Sequence, residues 1–486
     1  MCATFSPPAA RGLVRGRGQP SGKVLPGVAV KKRRRSSGDV SPLATEAQPP
    51  PLSLLPLEPT ARLAPADTPD VTVANAGDHS AIHRFLMEVF QGPSHAAFYA
   101  ANDDPFYEPS DRLVVKQGHQ VVAHLHLTRR VMRFGRQSFA AAGLTGLGTL
   151  PEYRGRGLAR QMMTVAHRLL DEERTPLAIL RTAVPHFFGR YYWVVCGRHS
   201  HASASARDLL AQLRASKQLQ REGKKLSVRP WRQVELAGLL SLHQRCMTDC
   251  YGCYERTEAY WRWLVSRKLF DQIFVAVEGN RSHDPGEPGG VIQGYAVIRD
   301  DRVLEIKASP GRPAAALALL ARACREAIER DYHTISLHAP PRDRLLSFLD
   351  RAGGERIENA CHQGEVYMVR LRDPIGFLRS LATELRRRAD EGGLAKPCEL
   401  GLLVDGRKLQ VVLTRRGVKI VRGKLGRSYL QLRGTDFVRM LLGHLDLGEA
   451  IESGRIAAST RVAATIVETL FPPLPLWRPP LDDLAG

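Results

Sequence analysis

Leu147-Gly148-Thr149-Leu150-Pro151-Glu152-Tyr153-Arg154-Gly155-Arg156-Gly157-Leu158-Ala159 is where the chain is most informative. A strand runs into Pro151, a short loop follows, and a helix begins near Gly157. The amides of Gly155 through Arg160 can converge on a single anion. Gly155 and Gly157 permit close backbone approach because they carry no Cβ. The N-terminus of the helix adds a partial positive charge. A pyrophosphate suits a nest of this kind. No Gly-Lys-Ser/Thr follows, so the loop is not a nucleoside-triphosphate P-loop. Gly155-x-Gly157 meets Arg160 where a dinucleotide fingerprint needs its third glycine.

Outward from this turn, the pattern alternates strand and helix. Upstream, 71–73 reads as a short strand. An amphipathic helix spans 78–90, with Ile82, Phe85, Leu86 and Val89 on one side. Strands are expected at 112–115, 120–127 and 139–150. The helix after the loop covers 157–173, carrying Leu158, Met162, Val165 and Leu169 on one face, and a buried strand follows at 177–181. Residues 208–225 read as a charged helical connector. A second α/β unit has strands at 273–278, 291–298, 303–307 and 334–337, with helices at 233–248, 258–267, 314–330 and 342–352. The Gly- and Pro-rich stretch 279–290 reads as a surface loop. In the last part, a helix is expected at 377–390. Strands at 399–404 and 407–413 are joined by the tight turn Asp405-Gly406, and a third covers 418–421. Thr435 reads as the cap of a helix bearing Phe437, Met440, Leu441 and Leu445. A final helix covers 461–470. The proline-rich tail 471–486 should lie extended, with Asp482 and Asp483 in solvent.

Length and composition bound the rest. The 486 residues suggest roughly three domains. With 43% hydrophobic and 24% charged residues, most of the chain can build cores. No apolar run approaches the roughly 18 residues a membrane-spanning helix needs, and the first residues lack a secretory pattern. Eight cysteines in a chain of this length point to a reducing, cytoplasmic setting rather than a disulfide scaffold. The net charge of +21 draws anions, and a phosphate-bearing cofactor fits it. Arg and Lys are spread along the chain and no zinc-finger or RNA-binding aromatic signature occurs, which argues against nucleic acid. Residues 1–70 read as a disordered, Pro-rich, basic tail containing Lys31-Lys32-Arg33-Arg34-Arg35.

The strand, Pro151, nest and amphipathic helix together resemble the acyl-CoA motif of the GNAT superfamily of N-acetyltransferases. The resemblance implies acetyl-CoA as co-substrate. It puts Leu147, Gly148 and Thr149 on pantetheine, and Arg154, Gly155, Arg156, Gly157, Leu158 and Ala159 around the pyrophosphate. Domain order and the passages 185–200 and 470–473 extend the likeness to the enhanced intracellular survival (Eis-like) acetyltransferases. That implies an α/β (α+β) chain of two tandem GNAT-type domains and a sterol carrier protein-like α+β domain. The corresponding parts are a tail at 1–70, a catalytic domain at 71–207, a degenerate GNAT-like domain at 226–371, and 373–486 with an extended C-terminal tail. In the second unit the equivalent turn is Ser309-Pro310-Gly311-Arg312-Pro313. Its prolines lack amide donors, so it is read as unable to bind CoA.

Acetyl transfer needs a neutral amine to attack the thioester and a proton for the departing thiolate. The Eis-like family supplies that proton from a Tyr, and Phe188 stands at the matching place. Tyr191, Tyr192 or His186 substitutes, or solvent does, or the activity is weak or lost. The resemblance also implies that the terminal carboxylate, here Gly486, helps deprotonate the amine. A catalytically impaired binding protein is therefore the alternative. His124 and His126 share one face of a strand and could line the acceptor cleft, although a surface pair is the plainer reading. Cys246-x-x-x-Cys250-x-x-Cys253 has iron–sulfur spacing, with His243 near it. The helix before it and the GNAT-like surroundings favour reduced thiols, and no metal is expected. The expected partners are acetyl-CoA and an amine of unspecified kind. The family tends to form hexamers, which implies a homo-oligomer.

Overall fold

The computed structural model describes residues 70–248, 250–279, 290–362 and 364–483. Nearly all of the expected tail 1–70 and of the loop 279–290, together with Gly486, lie outside these residues. The chain is a mixed α/β protein with three sheets among the described residues.

The first sheet begins with β1 (Val71–Val73), β2 (Arg112–Gln117), β3 (Gln120–Phe134), β4 (Gln137–Thr149) and β5 (Leu177–Thr182), in that spatial order. The first four run antiparallel, whereas β4 and β5 are parallel. Two helices, α1 (His79–Phe90) and α2 (His95–Asn102), lie between β1 and β2 in sequence. Ile82, Phe85 and Leu86 give α1 its buried stripe. The crossover from β4 to β5 is α3 (Leu158–Glu172), which buries Leu158, Met162, Ala166 and Leu170 at four-residue spacing. A parallel pair requires such a crossover, so the strand–helix–strand order sets the local topology. A short helix, α4 (Pro185–Gly189), follows β5.

Sheet membership does not follow the expected boundaries at 207 and 371. Strand His199–Ser205 lies in the second sheet, between Thr334–His338 and Glu355–Asn359. In return, Glu365–Leu371 pairs with β5 in the first sheet. Tyr251–Tyr254 also joins that sheet, on β3. Each sheet therefore incorporates a strand from the other half of the chain, which pairs main-chain groups that would otherwise be open.

The second sheet has seven strands and carries its own β-α-β crossover: strand Arg302–Ala308, helix Pro313–Glu329 and strand Thr334–His338. The third has five strands covered by helices, including Gly434–Leu441 and Arg461–Leu470. Asp405 and Gly406 form its hairpin turn, both with positive φ, 45° and 79°. Two expectations are corrected here. The segment 377–390 is two helices, Pro374–Ser380 and Ala382–Glu391, broken at the buried Leu381. Thr435 does not cap its helix: Arg433 holds that position, and Asp405 accepts the Gly434 amide at 3.1 Å.

Nor is the tail free in solvent as far as it is described. It ends in a short helix, Pro480–Asp483. Leu481 is fully buried, and Asp482 accepts a 2.9 Å hydrogen bond from Arg256 Nε. Arg256 forks the other way onto Glu305 at 2.6 and 3.3 Å. Burial raises the Asp482 pKa, but both side chains are buried together, so the charges compensate.

Candidate active site

Strands β4 and β5 pair from Ala141↔Leu177 to Leu144↔Leu180 and no further. Beyond Leu144, β4 keeps β3 on one side and has no β5 partner on the other. A bulge occurs here: Gly146 has φ 61°, and the register with β3 shifts between His124 and His126. His124 sits behind the bulge. Arg112 donates to its Nε2 (3.2 Å), which leaves Nδ1 to donate to the Gly146 carbonyl at 2.9 Å. Burial, aided by the Arg112 charge, pushes the His124 pKa down to about 3, so the ring is neutral. His126 is half-buried and faces Thr145 Oγ1 at 3.5 Å. Burial and the nearby arginines hold it well below its ordinary value. The two histidines are thus not a solvated pair. His124 pins the bulge and His126 adjoins the strand where it parts from β5.

Past β4, a 3-10 turn (Pro151–Tyr153) uses the Tyr153 and Arg154 amides internally. The next amides are different. Gly155 and Gly157 adopt φ 78° and 80°, a left-handed conformation that favours glycine. A Cβ on either would meet nothing within 4 Å, so the space before them is open. Among the described residues, no acceptor takes the amides of Gly155, Arg156 or Gly157. The first-turn amides of α3 likewise lack intrahelical acceptors. Leu158 anchors this end through its buried side chain and Ala159 follows in the same turn. Arg154 and Arg156 spend their guanidinium groups on the Thr149 and Glu152 carbonyls, at 3.3 and 3.1 Å. These bonds can be given up to an anion.

Leu147 packs against the apolar core of the lobe. A Cβ on Gly148 would come within 2.9 Å of Phe90 and 3.0 Å of Val89, so glycine there lets α1 approach.

The candidates for proton transfer are spread. Phe188 lies in α4 and is buried in the core of this lobe. Tyr191 packs on Phe187 and His167, and burial raises its pKa. His186 is exposed on α4. Tyr192 has φ 64°, the left-handed region. The cysteines are also apart in role. Cys246 Sγ donates to the Ala308 carbonyl (3.1 Å), while buried Cys253 points to the Trp477 carbonyl. Among the described residues no group of three side chains is arranged to hold a metal.

The open edge of β4 thus ends in a left-handed glycine nest at a helix N-terminus. Residues 70–196 match the model of the acetyltransferase (GNAT) domain. Three solved structures share the fold over 84% of this chain. A GCN5-related N-acetyltransferase from Anabaena variabilis has a TM-score of 0.63 and 15% identity, with 98% of it covered. One from Kribbella flavida has a TM-score of 0.62 and 16% identity, also with 98% covered. Eis1 from Mycobacterium abscessus has a TM-score of 0.58 and 14% identity, with 99% covered. No curated protein sequence matches this chain. No helix among the described residues is long and apolar enough to cross a membrane.

Proposed function

We propose that the chain is an N-acetyltransferase that moves the acetyl group of acetyl-CoA to an amine by direct attack on the thioester. The observation that carries this reading is the nest at Gly155–Gly157, with unpartnered amides facing open space at the start of a fifteen-residue helix. The pyrophosphate accepts those amides, and Arg154 and Arg156 turn to it. The main chain of β4 beyond Leu144 pairs with pantetheine as β5 would have done. The thioester then lies where β4 and β5 part, and the amine enters beside it. Tyr191 and His186 carry the reading for the thiolate's proton. The five-stranded third sheet under its helices supports a sterol carrier protein-like reading of 373–486.

Calorimetric titration with acetyl-CoA tests the nest. Binding is expected in the wild type, and strong weakening in Gly157→Val. Absence of heat at millimolar ligand, or equal affinity in the variant, overturns the proposal. A second reading has a specific motive: Phe188 cannot donate a proton and is buried. On that reading the chain binds CoA without turnover. Thiol release with a panel of amines separates the two.

A further inference from the structure

A cavity of about 1040 Å³ opens in the second lobe, away from the nest. It lies where strands Arg302–Ala308 and Thr334–His338 separate. These pair in parallel only at Arg302↔Ser336 and Val303↔Leu337. Residues 305–308 of one strand and 337–340 beyond the other then form facing walls. The crevice at the carboxyl ends of parting parallel strands is where open α/β sheets take ligands. Its volume matches a site for a molecule of drug size.

The turn that would cradle a pyrophosphate is missing here. Pro310 and Pro313 offer no amides, and helix Pro313–Glu329 begins without a side-chain cap. What the cavity has is a division of character. Ile306, Leu317, Leu337 and Trp477 supply an apolar wall. Arg342 and Arg344 supply cations, with Lys307, which also donates to Cys250 Sγ at 3.6 Å, behind them. The carboxylates of the lining are already committed. Glu305 takes Arg256, and Asp350 takes Arg356 at 3.1 Å. Asp343 caps the Leu345 amide at 2.8 Å. Among the described residues neither Arg342 nor Arg344 has a carboxylate within ion-pair distance. Arg342 is also held at φ 66°, an uncommon conformation for a long side chain.

We propose that this cavity is a second ligand site, for an amphipathic anion: an apolar chain ending in a carboxylate or a phosphate. The chain lies along the apolar wall, and the head group meets Lys307, Arg342 and Arg344. The site is independent of the acetyl-CoA reading of the first lobe and stands or falls separately.

The test is calorimetric titration of the full chain with decanoate and with decyl phosphate, below their micellar range. Decyltrimethylammonium and inorganic phosphate serve as controls. Saturable binding of at least one anionic amphiphile is expected, and the preferred one identifies the head group. The cationic amphiphile should bind at least roughly tenfold more weakly. Arg342 and Arg344 are exposed, so R342A/R344A should fold with an unchanged melting temperature and lose affinity roughly tenfold or more. Ala316→Trp, which fills the cavity from its helix, should abolish binding. Failure of both anionic amphiphiles to bind wild-type protein overturns the proposal. So does equal binding of the cation, or binding indifferent to both variants in folded protein.

Discussion

Replacing His124 by Asn should make the first lobe less sensitive to acid. In the folded chain the imidazole is neutral, with a pKa of about 3, because burial and Arg112 both disfavour its charged form. Its ordinary value is 6.5. The folded value lies below the unfolded one, so the unfolded chain takes up the proton first. Stability is therefore unaffected above pH 6.5, falls as pH drops through 6.5, and stops falling near 3. Between pH 8 and pH 5 this single group should remove about 2 kcal/mol. The ring is 1% exposed, so solvent screening does little to reduce that figure. Asn keeps a donor for the Gly146 carbonyl but does not titrate. It leaves Arg112 one acceptor short, a cost present at every pH, so the comparison rests on the pH response alone. Urea unfolding of both proteins at pH 8 and pH 5, followed by tryptophan fluorescence, gives that response. The variant should lose about 2 kcal/mol less than the wild type across this interval. Equal losses would mean that His124 is not held neutral behind the β4 bulge.

Other consequences are direct. Arg256→Met strands the Glu305 and Asp482 carboxylates in the interior, and should destabilise the chain by about 3–5 kcal/mol in urea unfolding; a loss below ~1 kcal/mol would contradict the described burial. Gly401→Ala places a Cβ 1.9 Å from the Leu425 carbonyl, which cannot move alone, and should cost about 1–3 kcal/mol or more in the third sheet, read by thermal melting. Phe188→Tyr should raise thiol release with an accepted amine if the missing proton donor limits turnover; an unchanged rate would place that limit elsewhere. Cys250 has its pKa lowered by a hydrogen bond from Cys253 and by Lys307, whose Nζ is 3.6 Å away. It should alkylate with iodoacetamide faster near neutral pH than an ordinary thiol, and Lys307→Met should slow it; mass spectrometry of the labelled peptide reports both.

Local signals in the sequence carried a long way. The β4–nest–α3 unit was legible because a strand, two glycines and a four-residue apolar spacing are contiguous. The Asp405-Gly406 hairpin was legible for the same reason. What escaped was non-local. His199–Ser205 buries only small residues on its inner face, so its alternation carries little hydrophobic signal. Tyr251–Tyr254 is buried throughout, yet at four residues it has no alternation to mark it as a strand. Asp482 looked like a solvated acid because its partner, Arg256, is far away in sequence. The Thr435 cap failed because Asp405, across a turn, supplies the acceptor for the first helical amide. For the site, spacing alone could place the nest, but not the role of His124, which depends on Arg112 and on a bulge in the neighbouring strand.

The exchange of strands between the two sheets bears on how this protein is made. The first sheet cannot close on β5 until residues 365–371 have left the ribosome, long after the nest itself has emerged. Through that interval the nascent first lobe exposes a bare strand edge, a template for intermolecular pairing. Productive folding should therefore be late and nearly simultaneous for the two lobes, and chains terminated between them should aggregate.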